Sequence, residues 1–231
     1  MSEVLKIPTH LGLIPDGNRR WAKRRLLPEK VGHRQGYKNL RKLSTLAMDM
    51  GVKWVSAYGF SEENFGRDET EVEDFRDMLK VIAKEDVKNI DEDGIELRFI
   101  GRRGRFDEET RELLESAEEL TEGNERGKLV VCLGYNGQDE IVDAARAIVE
   151  AGHKPEEIDR DTLSEHMYIP KLPDMDLLIR TSGEQRISGF LTYQSAYTEL
   201  MFPDKLWPAF TAGDLTACIE EFGNRPRRFG K

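Results

Sequence analysis

Residues 13–22 read Leu-Ile-Pro-Asp-Gly-Asn-Arg-Arg-Trp-Ala, an apolar run that ends in one carboxylate, a glycine and two adjacent arginines. A carboxylate such as Asp16 can hold a hard cation, and guanidiniums such as Arg19 and Arg20 fork onto phosphate oxygens at any working pH. Gly17 lets the backbone turn without a Cβ penalty, Asn18 can cap the helix that follows, and the first N–H groups of that helix favour an anion. Taken alone, Asp-Gly-Asn is usually only a helix start with basic neighbours. The rest of the chain changes that reading, because Arg67 follows Ser61 and Asn64, and Arg180 and Arg186 bracket Thr-Ser-Gly-Glu at 181–184. Five guanidiniums brought together call for a ligand of several negative charges. Two diphosphates, each held by two or three arginines, meet that demand. A departing diphosphate would need a divalent ion such as magnesium, for which Asp16 and Glu199 are the candidate carboxylates.

The elements that must position these residues follow from periodicity. Short runs rich in Val, Ile, Leu and aromatics recur at Leu11–Pro15, Trp54–Phe60, Ile95–Gly101, Leu129–Tyr135 and Asp176–Thr181, separated by long helical patterns. That alternation predicts a mainly parallel sheet covered by helices. From 33 to 50, Tyr37, Leu40, Leu43, Ala47 and Met50 share one stripe, and from 71 to 90 Val72, Phe75, Leu79, Ile82 and Val87 share another. Both segments read as amphipathic helices. Further helices are expected over 108–122, which reads as a solvated acidic surface, and over 138–151. Ligands of open parallel sheets bind at the carboxyl ends of the strands. Asp16–Arg20, Ser61–Arg67 and Arg180–Ser188 follow the first, second and fifth strands, so they should share one site. Gly-Arg-Arg-Gly at 101–104 and Gly-Tyr-Asn-Gly at 134–137 read as connecting turns.

A chain of 231 residues is long enough for a full core and reads as one domain, 1–231. The net charge of −9 opposes an extended nucleic-acid or anionic-membrane footprint unless positive charge is localised, as it is at 19–25 and 225–228. Cys132 and Cys218 have no metal-ligand spacing and read as reduced core residues of a cytoplasmic protein. No run is long enough to span a bilayer, so a soluble protein is expected, with peripheral membrane contact through its lipid product. There is no Gly-Lys-Ser/Thr phosphate loop, no Gly-x-Gly-x-x-Gly and no Asp-Asp-x-x-Asp, so NTP, dinucleotide and trans-type prenyl synthase chemistry lack their usual residues.

Taken in order, Asp-Gly-Asn-Arg-Arg-Trp-Ala at 16–22, Gly-His at 32–33, Tyr-Gly-Phe-Ser-Glu-Glu-Asn-Phe at 58–65 with Arg67, Asp-Leu-Leu-Ile-Arg-Thr-Ser-Gly-Glu at 176–184, Arg-Ile-Ser at 186–188 and Gln-Ser-Ala-Tyr-Thr-Glu-Leu at 194–200 resemble the cis-prenyltransferases, the undecaprenyl and decaprenyl diphosphate synthases. The resemblance covers essentially the whole chain. It implies an α/β fold with an open, mainly parallel central sheet of about six strands flanked by helices. It also implies a homodimer and an apolar tunnel between two long helices and the sheet. The implied reaction condenses an allylic prenyl diphosphate with isopentenyl diphosphate to give a cis-polyprenyl diphosphate. By resemblance Asp16 would hold Mg2+ and help the allylic diphosphate ionise, while Gly17, Asn18, Arg19, Arg20 and His33 would cradle that diphosphate. Arg180, Arg186 and Ser188 would hold isopentenyl diphosphate. Phe60, Ser61, Asn64 and Arg67 would lie between the substrates, with Asn64 beside Asp16 in the catalytic set. Trp21 reads as packing, given no chemical step and counted only with the allylic segment. Glu199, which alone looks like a helical surface acid, would complete the metal site from this chain or across the dimer interface. An Arg-x-Gly terminus, here Arg228-Phe229-Gly230, would reach the partner's site.

Several positions depart from the family pattern: Glu29 stands where an arginine is common, Gln185 where histidine is frequent, and Gly189, Thr192 and Tyr193 where Asn or Asp, Leu and Trp are usual. They leave open a short product, an unusual prenyl acceptor, or a non-catalytic partner subunit. Nucleic-acid binding through Lys23, Arg24 and Arg25 around Trp21 is opposed by the overall acidity. The primer and the product length are not legible.

Overall fold

Six apolar runs form one all-parallel sheet in the computed structural model, which describes residues 6–66 and 69–226 and, for 70, 71, 83 and 85, the backbone alone. The strands are β1 (His10–Ile14), β2 (Trp54–Ser61), β3 (Ile95–Ile100), β4 (Gly127–Tyr135), β5 (Leu177–Arg180) and β6 (Glu199–Met201), in the spatial order β3-β4-β2-β1-β5-β6. The helices are α1 (Asn18–Lys23), α2 (Glu29–Asp49), α3 (Glu69–Val81), α4 (Val87–Glu92), α5 (Glu108–Thr121), α6 (Gly137–Glu150), α7 (Arg160–Glu165) and α8 (Ala212–Asn224). The five expected strands stand within a few residues of their predicted bounds.

Successive strand residues face opposite sides, and each side has its own core. Leu11, Leu13, Leu97, Leu129, Leu177 and Ile179 pack with Leu40 and Leu43 of α2, Phe75 and Leu79 of α3, and Ile219 of α8. Ile14, Val130, Cys132 and Leu178 pack on the other face against Met175, Phe190 and Leu191. Burial raises the thiols of both Cys132 and Cys218, the latter to about 11, which leaves them unreactive.

Two elements differ from the periodicity reading. The helix expected over 71–90 is broken by a π-helical turn at Ile82–Asp86 between α3 and α4, an insertion that a pattern of apolar spacing does not register. Glu199 lies in β6, not on a helix; three residues are too few to show an alternation. The chain leaves β1 for β2 on one side, and β5 enters on the other side of β1 and continues outward to β6. The crevice at the carboxyl ends of β1 and β5 is therefore the switch point where such sheets bind ligands.

At the opposite end, His10 is fully buried, with Nδ1 2.8 Å from the Pro173 carbonyl and Nε2 2.7 Å from Ser56 Oγ. Burial drives its pKa down to about 4, against the opposing pull of the Pro173 hydrogen bond and the Asp176 charge.

Candidate active site

Beyond Ile14 the chain turns through Pro15, Asp16 and Gly17 into α1. Gly17 has φ 105°, and a Cβ there would lie 2.9 Å from Leu206 Cδ2 and 3.1 Å from Leu206 Cα, so only glycine fits. Helix α1 rests on α2 where Gly36 offers no side chain; a Cβ at Gly36 would stand 2.3 Å from Asn18 Oδ1. Asn18 does not cap α1, contrary to expectation. It is the first helical residue, and its side chain donates back to the Pro15 carbonyl at 3.3 Å, leaving Oδ1 buried without a hydrogen-bond partner among the described residues.

Asp16 stands between two arginines. Arg180, at the end of β5 with its side chain 6% exposed, donates from Nη2 to Asp16 Oδ2 at 2.9 Å. Its Nη1 donates to the Arg186 carbonyl and to Ser188 Oγ, both at 2.8 Å. Its Nε is buried with no hydrogen-bond partner among the described residues, an orphan donor that a phosphate oxygen would satisfy. Arg20 donates to Asp16 Oδ1 at 3.2 Å and to Ser182 Oγ at 2.5 Å, and lies 3.4 Å from Glu184. Glu184 in turn pairs with Arg186 at 2.6 Å, and the Arg186 hydrogen bond and charge hold its carboxyl below the ordinary range. The cations are thus held by Asp16 and Glu184. A polyanion would take over those donors.

Asp16, Arg20, Arg180 and Ser188 line the mouth of one cavity of about 1160 Å³, larger than the roughly 300–1,000 Å³ of ordinary small-molecule pockets. Asp16, Gly17, Asn18, Arg19, Arg20, His33, Phe60, Ser61, Asn64, Arg180 and Ser188 all reach it. The cavity continues between α2 and α3 over the sheet, past Leu40, Phe75, Met78, Leu79 and Ile82, to Ile90, Leu97 and Phe99. Leu97 is level with Leu11 through β4 and β2, so from Asp16 the tunnel crosses three strand spacings and descends five residues, on the order of 20 Å. Phe60 stacks on Phe75 at a centroid distance of 4.1 Å and forms part of the wall. It is turned there by the loss of β2–β4 register around Gly59. Asn64 donates to Ser61 Oγ just above it.

Other expected residues are placed elsewhere. Trp21 does not line the cavity; the Arg25 guanidinium covers its ring at 4.2 Å. The Arg186 side chain is 57% exposed at the rim and also does not line the cavity, though its carbonyl receives Arg180. Glu199 is level with Leu177, whereas Asp16 lies beyond Ile14, which is level with Arg180; at least roughly 10 Å of strand separates them. Glu199 instead receives Arg225 at 2.9 Å. Arg67 and Arg228-Phe229-Gly230 lie outside the described residues. Glu29, one of the unusual positions, receives Arg19 at 2.7 Å.

Three cavity-lining residues escaped the sequence reading. Asn136, in the Gly-Tyr-Asn-Gly turn, caps α6 by accepting from Gln138 N at 2.8 Å and donates to Glu63 at 2.5 Å. Burial alone would raise the Glu63 carboxyl, but hydrogen bonds from its own backbone, Ser61 and Asn136 hold it below the ordinary range. The Tyr58 hydroxyl is shared between the carbonyls of Tyr135 at 3.0 Å and Ser188 at 3.2 Å, tying the second strand end to the fifth. Its pKa is raised, first by burial and then by the Glu63 charge.

No group of three or more His, Cys, Asp or Glu among the described residues is arranged to hold a metal ion. A magnesium ion needs less from a protein, one or two carboxylates with substrate oxygens and water completing the shell. Asp16, partly exposed at 27% and lining the cavity, fits that requirement once a substrate draws Arg20 and Arg180 away.

Residues 14–230 match the prenyltransferase family described as "Putative undecaprenyl diphosphate synthase". The chain is 41% identical over 227 residues to isoprenyl transferase 2 of Bradyrhizobium diazoefficiens, covering 96% of this chain and 90% of that one. It is likewise 41% identical over 228 residues to the ditrans,polycis-undecaprenyl-diphosphate synthase ((2E,6E)-farnesyl-diphosphate specific) of Xylella fastidiosa, with coverage of 97% and 89%. The crystal structure of lavandulyl diphosphate synthase from Lavandula x intermedia in complex with dimethylallyl diphosphate is similar at a TM-score of 0.92 and 34% identity, over 97% of this chain and 99% of that one.

Proposed function

The chain is a prenyltransferase of the undecaprenyl diphosphate synthase family, and on that premise we propose that its cavity joins an allylic prenyl diphosphate to isopentenyl diphosphate, forming a cis double bond at each addition. One observation carries the reading: a single cavity couples a guanidinium-lined mouth to a tunnel on the order of 20 Å long with apolar walls. Only an amphiphile with a highly charged head and a long apolar tail matches both ends.

In this reading Gly17, Asn18, Arg19, Arg20 and His33 hold the allylic diphosphate, with its tail running between α2 and α3. Arg180 and Ser188 hold isopentenyl diphosphate, and Arg186 swings from Glu184 to join them. The allylic carbon–oxygen bond breaks and the isopentenyl double bond attacks that carbon; a proton then leaves the isopentenyl C2, and inorganic diphosphate departs. Arg19 and Arg20, which hold the allylic diphosphate, stabilise the charge that develops on the leaving oxygen. Phe60, Leu79 and Ile82 keep water from the electron-deficient carbon, and Asn64 and Ser61 position the acceptor between the two sites. Asp16 would hold Mg2+, which when bound supplies further positive charge to the leaving diphosphate. Arg67 belongs with the allylic contacts by family pattern.

Glu199 lies on β6, the edge strand of the sheet, beside Tyr197 and Leu200, which are 70% and 39% exposed. That edge suits a second copy of the chain, so we assign a homodimer in which Glu199 serves the partner's metal site. No helix among the described residues is long and apolar enough to cross a membrane. The cytoplasmic location rests on the two free cysteines.

Labelled isopentenyl diphosphate, offered with dimethylallyl, geranyl, farnesyl or geranylgeranyl diphosphate and Mg2+, tests the proposal. Incorporation into solvent-extractable product with at least one primer, abolished by EDTA, is expected. No incorporation with any primer, in a folded sample, would overturn it.

A further inference from the structure

Between α1 and α2 the chain places bulky apolar side chains where no folding force requires them. Leu26 is 96% exposed and holds φ 55°, a left-handed conformation that a bulky L-residue rarely adopts. Leu27 and Val31 beside it are 39% and 36% exposed. The turn is well ordered by its backbone: Leu26 N donates to the Lys23 carbonyl at 3.1 Å, Leu27 N to Ala22 at 3.0 Å and Val31 N to Pro28 at 3.0 Å. The leucine is thus presented outward on a fixed turn where glycine or asparagine would be less strained.

The charge around it is the reverse of the rest of the protein. Residues 19–34 carry seven Lys or Arg against a single acid, Glu29, in a chain whose net charge is −9. Lys23, Arg24, Arg25, Lys30 and Arg34 are all exposed. Lys23 and Glu29 also line the cavity mouth, so the apolar and basic patch borders the opening of the tunnel.

We propose that the Lys23–Val31 connection is a docking surface for an anionic lipid bilayer. Leu26, Leu27 and Val31 enter the interface, while Lys23, Arg24, Arg25 and Lys30 lie against acidic headgroups. The acidic remainder of the protein is repelled, so the tunnel mouth is turned toward the membrane. There an apolar product can leave the tunnel without crossing water. The use of the surface in product release rests on the function proposed above, whereas the surface itself rests only on exposure and charge.

Co-sedimentation with vesicles of equal parts phosphatidylcholine and phosphatidylglycerol, compared with pure phosphatidylcholine, tests this without substrate. The protein is expected to partition onto the anionic vesicles and to be released as salt rises. Arg24→Gln and Lys30→Gln should each weaken partitioning about fivefold. Leu26→Ser should weaken it about tenfold or more. Turnover with soluble substrates should be unchanged in all three, which also shows that they fold. Equal binding to neutral and anionic vesicles, no loss in Leu26→Ser, or a changed oligomeric state in Leu26→Ser by sedimentation velocity would each overturn the proposal. A protein that binds anionic vesicles yet elongates no primer would instead refute the assigned reaction and leave the surface standing.

Discussion

Arg180 holds the two halves of the site together, and replacing it with alanine separates structural from catalytic roles. The side chain donates three hydrogen bonds, to Asp16 Oδ2, the Arg186 carbonyl and Ser188 Oγ. Bonds from a charged donor are worth roughly 1.5–3 kcal/mol each, which sets an upper limit of about 9 kcal/mol. The loss should fall well short of that, because Asp16 is 27% exposed and keeps Arg20. Breaking one member of a buried pair typically costs about 3–5 kcal/mol, so a loss near 3 kcal/mol is expected here. With a urea slope of about 3 kcal/mol/M, the midpoint should move down by about 1 M. In steady-state assays, kcat/KM for isopentenyl diphosphate should fall about 10–10²-fold, because one charged hydrogen bond to the acceptor diphosphate is worth about 1.5–3 kcal/mol. Arg180→Lys should recover part of the stability through its charge, yet remain at least about tenfold down in kcat/KM, since an ammonium lacks the planar fork. A destabilised Arg180→Ala with normal kcat/KM would refute the assignment and leave Arg180 as a brace between β1 and β5.

Asp16→Asn should keep its circular dichroism spectrum and lose at least about 10³-fold in kcat, about 4 kcal/mol of barrier, with no rescue by added Mg2+; retained turnover would remove Asp16 from the metal role. Leu97→Trp fills the far end of the tunnel and should shorten the longest product seen by chromatography, at a cost of about 1–3 kcal/mol in stability; an unchanged ladder would place the chain elsewhere. The His10 pKa is about 4 in the fold against an ordinary 6.5, so between those values the unfolded chain binds a proton that the folded chain refuses. Stability should therefore fall as pH drops from 6.5 to 4, by about 3 kcal/mol, with no His10 contribution above that window. Urea midpoints at pH 7 and 5 for wild type and His10→Gln check it, and identical pH slopes would contradict it.

The fold was legible because five strands announce themselves as dense β-branched and aromatic runs, and because α2 and α3 carry full apolar stripes. The mouth was legible as well: Asp16, Arg20, Arg180 and Ser188 each follow a strand, and parallel topology gathers strand ends. What the sequence hid depended on register and side-chain direction. Glu199 follows no long strand, and its level at the amino end of β6 appears only once β5 and β6 are paired. Trp21 sits one residue beyond Arg20, yet on a helix that step of 100° turns it away from the cavity. Asn136 looked like part of a connecting turn because capping and cavity lining use the same residue types. The tie between Glu29 and Arg19 was visible only as an unusual acid among basic neighbours.

The most direct test of a charged head at the strand ends and an apolar tail beneath α2 and α3 is a crystal structure with a non-hydrolysable farnesyl thiodiphosphate and Mg2+. Diphosphate density is expected within hydrogen-bond reach of Arg20 and the first residues of α1, with metal on Asp16 and the tail directed past Phe75 toward Leu97. A diphosphate bound away from Asp16, or a tail lying outside the tunnel, would contradict that expectation.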